Sequence, residues 1–326
     1  MGTVYGVGIA KGGQGKSTTV STLARLCASR GARVLLLDLA QPGTTTASLR
    51  DIWPAHEHET LSQTISSMRL AKDGALDAKA ARAAIQQAGL PVMLSSQPSW
   101  SGGHVLAFPW DEDLGDTIAS LASPRVISGV LSALSGTFDV ALIDWPAESG
   151  PLMANALSAT DRVIMPLTPE TPALEGAYWT LRLMSQARQR GSHLRLGGIF
   201  LTRIEPKSKR TFEVVQALTN AGEVEGEQIS KLVFPFGLRT NEFFEQAFRY
   251  GEPVWERTNN PSHWASYVLL SEWLLRDAGL TGLGAPVKRN GPSLISGDTR
   301  IFDVTALVMD SAEITFADFA RVHPGV

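Results

Sequence analysis

The sequence predicts an α/β protein built on an open, doubly wound, mostly parallel sheet with helices on both faces. Three observations carry this. A short β-rich run, Thr3–Ile9, leads into the glycine-dense stretch Ala10–Ser17. A helical pattern follows from Lys16 to about Arg30 and stops at Gly31, a residue suited to the turn that ends a helix. Val34-Leu35-Leu36-Leu37 is then apolar without alternation, the mark of a strand covered on both faces. Strand, loop, helix and buried strand make the βαβ unit of a parallel sheet.

The later elements follow the same logic. Residues 51 to about 89 are rich in charge and alanine and read as helices with variable loops, and Val92–Ser95 as a short strand. Pro124–Leu134 reads as a helix with Ser123 at its N-cap and proline in its first position. Val140–Ile143 is a buried strand ending in Asp144. Arg162–Leu167 and Leu196–Leu201 are further strands, with a helix over about Ala173–Arg188 between them. Lys209–Ala221, Asn241–Tyr250 and Ser262–Ala278 have helical patterns, and Lys231–Phe234 reads as the last short strand of the main domain. Composition changes near Gly279: glycine and proline from Gly282 to Ser293 read as a linker. Beyond it Arg300–Met309 has strand character and Glu313–Val322 suits a short helix. The expected organisation is therefore one domain over 1–280 and a linker with a C-terminal extension over 281–326.

Composition limits the function classes. The chain has 326 residues, is 44% hydrophobic and carries a formal net charge of −3, which argues against a uniformly basic nucleic-acid binder but permits a local basic patch. No stretch approaches the ~20 apolar residues of a membrane span, and the first strand feeds directly into the glycine-rich loop, so a cytoplasmic protein without a targeting peptide is expected. The one cysteine, Cys27, excludes a disulfide within the chain and reads as a small core residue of the first helix.

The chemistry sits in Ala10-Lys11-Gly12-Gly13-Gln14-Gly15-Lys16-Ser17-Thr18, between a strand and a helix. Successive backbone N–H groups and a helix N-terminus attract phosphate oxygens, and glycines let the backbone come close. Lys16 is placed to reach the β/γ-phosphates and the Ser17 hydroxyl to ligate Mg²⁺. The strict pattern fails at its first glycine, which is Ala10, and an additional lysine, Lys11, follows.

This loop resembles the deviant Walker A sequence, K-G-G-x-G-K-[ST], of the ParA/MinD family of P-loop ATPases. The resemblance continues through Asp38-Leu39-Ala40-Gln41-Pro42-Gly43, which is similar to the family's D-x-D-P-Q-G. It includes Phe138 to Pro146, similar to its Walker B strand, the run from Asn155 to Leu167, and Ala173-Leu174-Glu175-Gly176. It covers about residues 3–278. It implies ATP and Mg²⁺ as cofactors, with Ser17, Asp38 and Asp144 around the metal and Pro235-Phe236 near the adenine. It also implies a homodimer formed on ATP binding, in which Lys11 reaches the partner's nucleotide.

The chain departs from the pattern at Ala40, where the family has the aspartate that orients the attacking water. Alanine has no acceptor for that water, so the resemblance implies binding of ATP with impaired hydrolysis. Two origins of Ala40 are open: a natural relative that hydrolyses poorly, or an aspartate replaced deliberately to trap the ATP state. The intact remainder of the site favours the second.

The family divides by what the ATP dimer binds. The acidic end of the chain, from Asp310 to Arg321, does not suit the basic amphipathic membrane helix of MinD-like members. The ParA-like branch implies non-specific binding to double-stranded DNA, for which Lys207, Lys209, Arg210, Arg239 and Arg249 are the candidate contacts. The expected function is a nucleoid-associated ATPase for plasmid or chromosome partition, working with a ParB-like centromere-binding or cargo-adaptor protein. With no helix-turn-helix pattern before the loop, sequence-specific operator binding is not expected. The alternatives are a ParA-like positioning ATPase for a protein cargo such as a microcompartment or chemoreceptor cluster, then a MinD-like regulator or a metabolic ligase.

Overall fold

The computed structural model describes residues 2–52, 60–66, 70, 76–88, 91–95, 102–286, 294–304 and 313–322. The chain begins β1 (Thr3–Val7), α1 (Lys16–Ser29), β2 (Arg33–Asp38), α2 (Thr44–Ala47), α3 (Leu61–Ser66), α4 (Ala78–Gln87), β3 (Val92–Ser95) and β4 (His104–Phe108). It continues α5 (Leu114–Leu121), α6 (Val126–Ala133), β5 (Val140–Asp144), α7 (Pro151–Ala159), β6 (Arg162–Leu167), α8 (Thr171–Gln189) and β7 (Arg195–Ile204). Then come α9 (Lys209–Thr219), the ribbon strands β8 (Glu223–Val224) and β9 (Glu227–Gln228), α10 (Ile229–Leu232), β10 (Val233–Arg239), α11 (Phe243–Tyr250) and α12 (Ala265–Asp277). The last elements are β11 (Arg300–Asp303), β12 (Glu313–Thr315) and α13 (Phe316–Val322).

Among the described residues ten strands form one sheet in the order β12-β11-β10-β7-β6-β1-β5-β2-β4-β3. From β10 to β4 every neighbouring pair is parallel, and antiparallel strands finish both edges. The central strands β1, β2 and β5 are apolar and buried almost throughout, as strands sandwiched between two helical layers must be. Alternation along β1 shows the two layers. The Tyr5 hydroxyl donates to Leu274 O in α12 at 3.0 Å, whereas a Cβ on Gly6 or Gly8 would run into the indole of Trp145, on the side of α7. Cys27 is buried in the core, where burial pushes its thiol up to about 12.

Several sequence expectations change. The structure adds β4, α5 and α7, which no local pattern had separated from loop. The helix expected at Pro124 starts at Val126, because the Ser123 hydroxyl accepts from the N–H of Arg125 at 3.1 Å and holds a turn first. The strand expected over Lys231–Phe234 lies at Val233–Arg239, crossing Pro235 and Gly237 with a shift in its register against β7. Of the region 51–89, helices cover Leu61–Ser66 and Ala78–Gln87, and residues 53–59, 67–69 and 71–75 lie outside the described residues. At the end of the chain the segment expected as one helix is β12 followed by α13, and residues 305–309 of the expected strand are outside the described residues. β11 pairs antiparallel with β10, and Phe319 of α13 is buried against Phe236 with ring centroids 6.0 Å apart.

Candidate nucleotide-binding site

The carboxyl ends of β1, β5 and β2 lie side by side, the place where open α/β sheets bind ligands. β1 delivers the loop from Ala10 to Ser17. Gly13 and Gly15 have φ of 75° and 83°, a left-handed backbone that glycine adopts without a steric penalty. A Cβ at Gly12 or Gly13 would meet nothing within 4 Å, so the loop faces open space wide enough for phosphate oxygens.

The loop is braced from three sides. The buried Gln14 side chain accepts from the N–H and hydroxyl of Thr168 at 2.9 and 2.8 Å, beyond the end of β6. The Thr202 hydroxyl of β7 donates to Gln14 O at 3.2 Å. The N–H of Ala10 donates to the Thr180 hydroxyl of α8 at 2.8 Å, and one turn earlier a Cβ on Gly176 would lie 3.0 Å from that of Lys11. Gly176 thus lets α8 pass under Lys11. The Lys16 ammonium donates to Lys11 O at 2.8 Å, and burial lowers its pKa against the opposing pull of Asp144. Ser17 and Thr18 open α1, half-buried beside the loop.

Asp38 and Asp144 end neighbouring strands and are register partners. Both are buried, and each is held by a threonine of α2. The Thr45 hydroxyl donates to Asp144 Oδ2 at 2.7 Å, while the Thr46 N–H and hydroxyl both donate to Asp38 Oδ2 at 2.7 Å. Burial, then the charge of Asp38, pushes the Asp144 carboxyl up to about 7, and burial likewise raises Asp38. Among the described residues Asp144 Oδ1 is buried with no hydrogen-bond partner. An unsatisfied carboxylate oxygen beside Ser17 and Lys16 is what a hydrated divalent cation would complete, so the residues present fit Mg²⁺. Ala40 is buried two residues beyond Asp38, its N–H 3.3 Å from Asp38 Oδ1.

The adenine expectation is corrected for Phe236. Its ring has no exposed surface and is packed on Phe200, Phe234 and Phe319, so it belongs to the core; the Pro235 carbonyl accepts from the N–H of Val304 at 2.7 Å. The candidate DNA contacts are all exposed. Lys207 and Arg239 line one shallow depression of about 460 Å³, together with Glu205. Lys209 and Arg210 open α9 next to it, Lys209 pairing with Glu213 at 3.4 Å. Arg249, on α11, pairs with Glu245 at 3.9 Å and does not line the depression. Sequence reasoning missed Thr45, Thr46, Thr180 and the side-chain role of Gln14; the run Thr44-Thr45-Thr46 after Pro-Gly was the available signal.

A phosphate loop with a second lysine, facing paired strand-end carboxylates, defines a P-loop nucleotide-binding protein of the deviant Walker A type. The family profile described as an AAA domain matches residues 3–195. The chromosome-partitioning ATPase Soj of Thermus thermophilus is 30% identical over 239 residues, covering 71% of this chain and 80% of that protein. The chain belongs to the ParA/MinD family, whose members are ATPases. Among solved structures, an aspartate-to-alanine variant of Cyanothece McdA in complex with ATP has a TM-score of 0.62 at 21% identity, covering 88% of this chain and 99% of that one. The septum site-determining protein MinD of Pyrococcus horikoshii with Mg-ADP has a TM-score of 0.60 at 18% identity, covering 86% and 98%. At these identities the likeness shows the fold. ATP with Mg²⁺ is the cofactor pair of this family. Among the described residues no helix is long and apolar enough to cross a membrane.

Proposed function

We propose that this chain is a ParA-type switch that binds ATP and Mg²⁺, pairs with a second copy of itself around the nucleotide, and in that state binds DNA without sequence preference. The observation that carries the reading is the rim of the phosphate loop: Lys11 stands there over Gly176, while Lys16 and Ser17 lie inward beside Asp144. Lys16 and the loop N–H groups would hold the β/γ-phosphates; Ser17, Asp38 and Asp144 would hold Mg²⁺, directly or through water. The metal neutralises charge on the phosphates when bound. Lys11 would reach the facing protomer, and two such lysines exchanged across a two-fold axis would make ATP part of the interface.

Ala40 leaves the chain without a water-orienting carboxylate at that position, so the ATP state is long-lived. A partner protein, ParB-like or a cargo adaptor, would regulate release, and the site of action would be the nucleoid in the cytoplasm. The test is light scattering of the full chain with and without Mg·ATP. A monomer that doubles in mass only with ATP supports the reading; a monomer under both conditions refutes it.

A further inference from the structure

A well-formed cavity lies away from the phosphate loop. It has a volume of about 520 Å³ and runs between α7 and α8, closed at one side by the start of α6. Its far end is lined by Thr160, Asp161, Ser192 and His193, which precede β6 and β7 and so lie at the amino ends of the strands, opposite the nucleotide site. The volume falls in the ordinary range of small-molecule pockets, and the lining has the composition such pockets need, an apolar floor with a few converging polar groups.

The floor is aliphatic: Met153 and Leu157 one turn apart on α7 face Leu183 and Ala187 one turn apart on α8. The charged lining is unbalanced. Arg125 and Arg190 line it beside one carboxylate, Asp161, which is itself occupied in accepting the Val4 N–H at 2.9 Å. We propose that this cavity binds a small organic anion with an aliphatic body, and that its occupancy is linked to the nucleotide site. The head group is recognised by the arginines and the body by the floor between the helices.

The link is a short physical path. Thr160 lines the cavity, and its hydroxyl accepts from Trp145 Nε1 at 3.2 Å while donating to Ala156 O at 2.8 Å. Trp145 is the residue after Asp144, and its buried ring lies against Gly6 and Gly8, just before the phosphate loop. The indole is packed directly on the backbone of both glycines, where an added Cβ would meet it at 2.2 Å. An occupant that shifts Thr160 therefore acts on both halves of the nucleotide site, and by reciprocity nucleotide alters its affinity. The linkage rests on the proposed ATP site; binding to the cavity does not.

The experiment uses the full chain with decanoate as the probe and decylammonium as the charge-reversed control. In calorimetry without nucleotide, decanoate binds and decylammonium does not. Arg190→Glu, at an exposed position where folding is not at stake, weakens decanoate by about tenfold or more. Ala154→Trp, which fills the cavity, abolishes binding. ATP affinity then shifts by about fivefold or more on adding decanoate, and Trp145→Phe, which lies outside the cavity lining and removes the N–H that donates to Thr160, keeps decanoate binding but loses the shift. Failure of decanoate to bind, or equal binding by decylammonium or by Arg190→Glu, overturns the site. Binding with no effect on ATP affinity overturns the linkage. A chain that does not bind ATP at all contradicts the proposed function and leaves the cavity to be judged on the decanoate titrations alone.

Discussion

Replacing Asp144 by asparagine should make the protein more stable and at the same time remove its response to Mg²⁺. Asp144 is buried beside Asp38, and its carboxyl is lifted from the usual 3.8 to about 7 by burial and by that neighbouring charge. Lifting a carboxyl by this much penalises its ionised form by about 4 kcal/mol, an order-of-magnitude figure for so close a pair. The folded state holds a proton that the unfolded state gives up between pH 4 and 7, so this group costs stability as pH rises through that window and the full cost is present above about pH 7. Asparagine keeps an oxygen to accept from Thr45 and removes the charge. Thermal unfolding of Asp144→Asn without nucleotide should therefore occur roughly 5 °C above the parent at pH 8, with the difference shrinking toward pH 5. Mg·ATP should raise the parent's midpoint and leave the variant's nearly unmoved. A variant less stable than the parent at pH 8, or a gain independent of pH, would refute the electrostatic reasoning.

Three other outcomes follow from the same site. Lys16→Ala should abolish nucleotide binding measured by calorimetry, whereas Lys11→Ala should retain it and lose ATP-driven dimerisation; dimerisation unchanged in Lys11→Ala excludes its role across the interface. Ala40→Asp should raise ATP turnover by about tenfold or more, roughly 1.4 kcal/mol of barrier, in a phosphate-release assay with DNA present. Equal turnover would assign the water to another group, such as the exposed Glu148. Thr46→Val deletes the hydroxyl that bridges Asp38 and the N–H of Trp110, so chemical denaturation should show a loss of about 1–3 kcal/mol.

The phosphate site was legible because its chemistry is local. A loop between a strand and a helix needs glycines and a lysine at fixed spacing, and β2 and β5 announce themselves as unbroken apolar runs ending in aspartate. What escaped depends on partners distant in sequence. β4 is five residues whose pairing with β2 makes it a strand, and β10 crosses Pro235 and Gly237, which read locally as breakers. The resemblance put Phe236 near the adenine, and its own segment does not show the aromatics that bury it, Phe200 and Phe319, which come from β7 and from the far end of the chain. The threonines of α2 were equally hidden: nothing in their own segment says that two strand-end carboxylates will lie within hydrogen-bond reach.

The central claim is that nucleotide converts a weakly charged monomer into a DNA-binding dimer, and fluorescence anisotropy of a labelled random-sequence duplex tests it most directly. Pairing two copies gathers Lys207, Arg239 and their neighbours twice over without any new residue, so affinity should appear only with Mg·ATP and fall steeply as salt is raised. Lys207→Glu combined with Arg239→Glu should remove DNA binding and spare ATP-driven dimerisation, since neither residue belongs to the phosphate loop. An ATP-bound dimer that ignores DNA at low salt, or a chain that binds DNA equally well without nucleotide, would contradict the account.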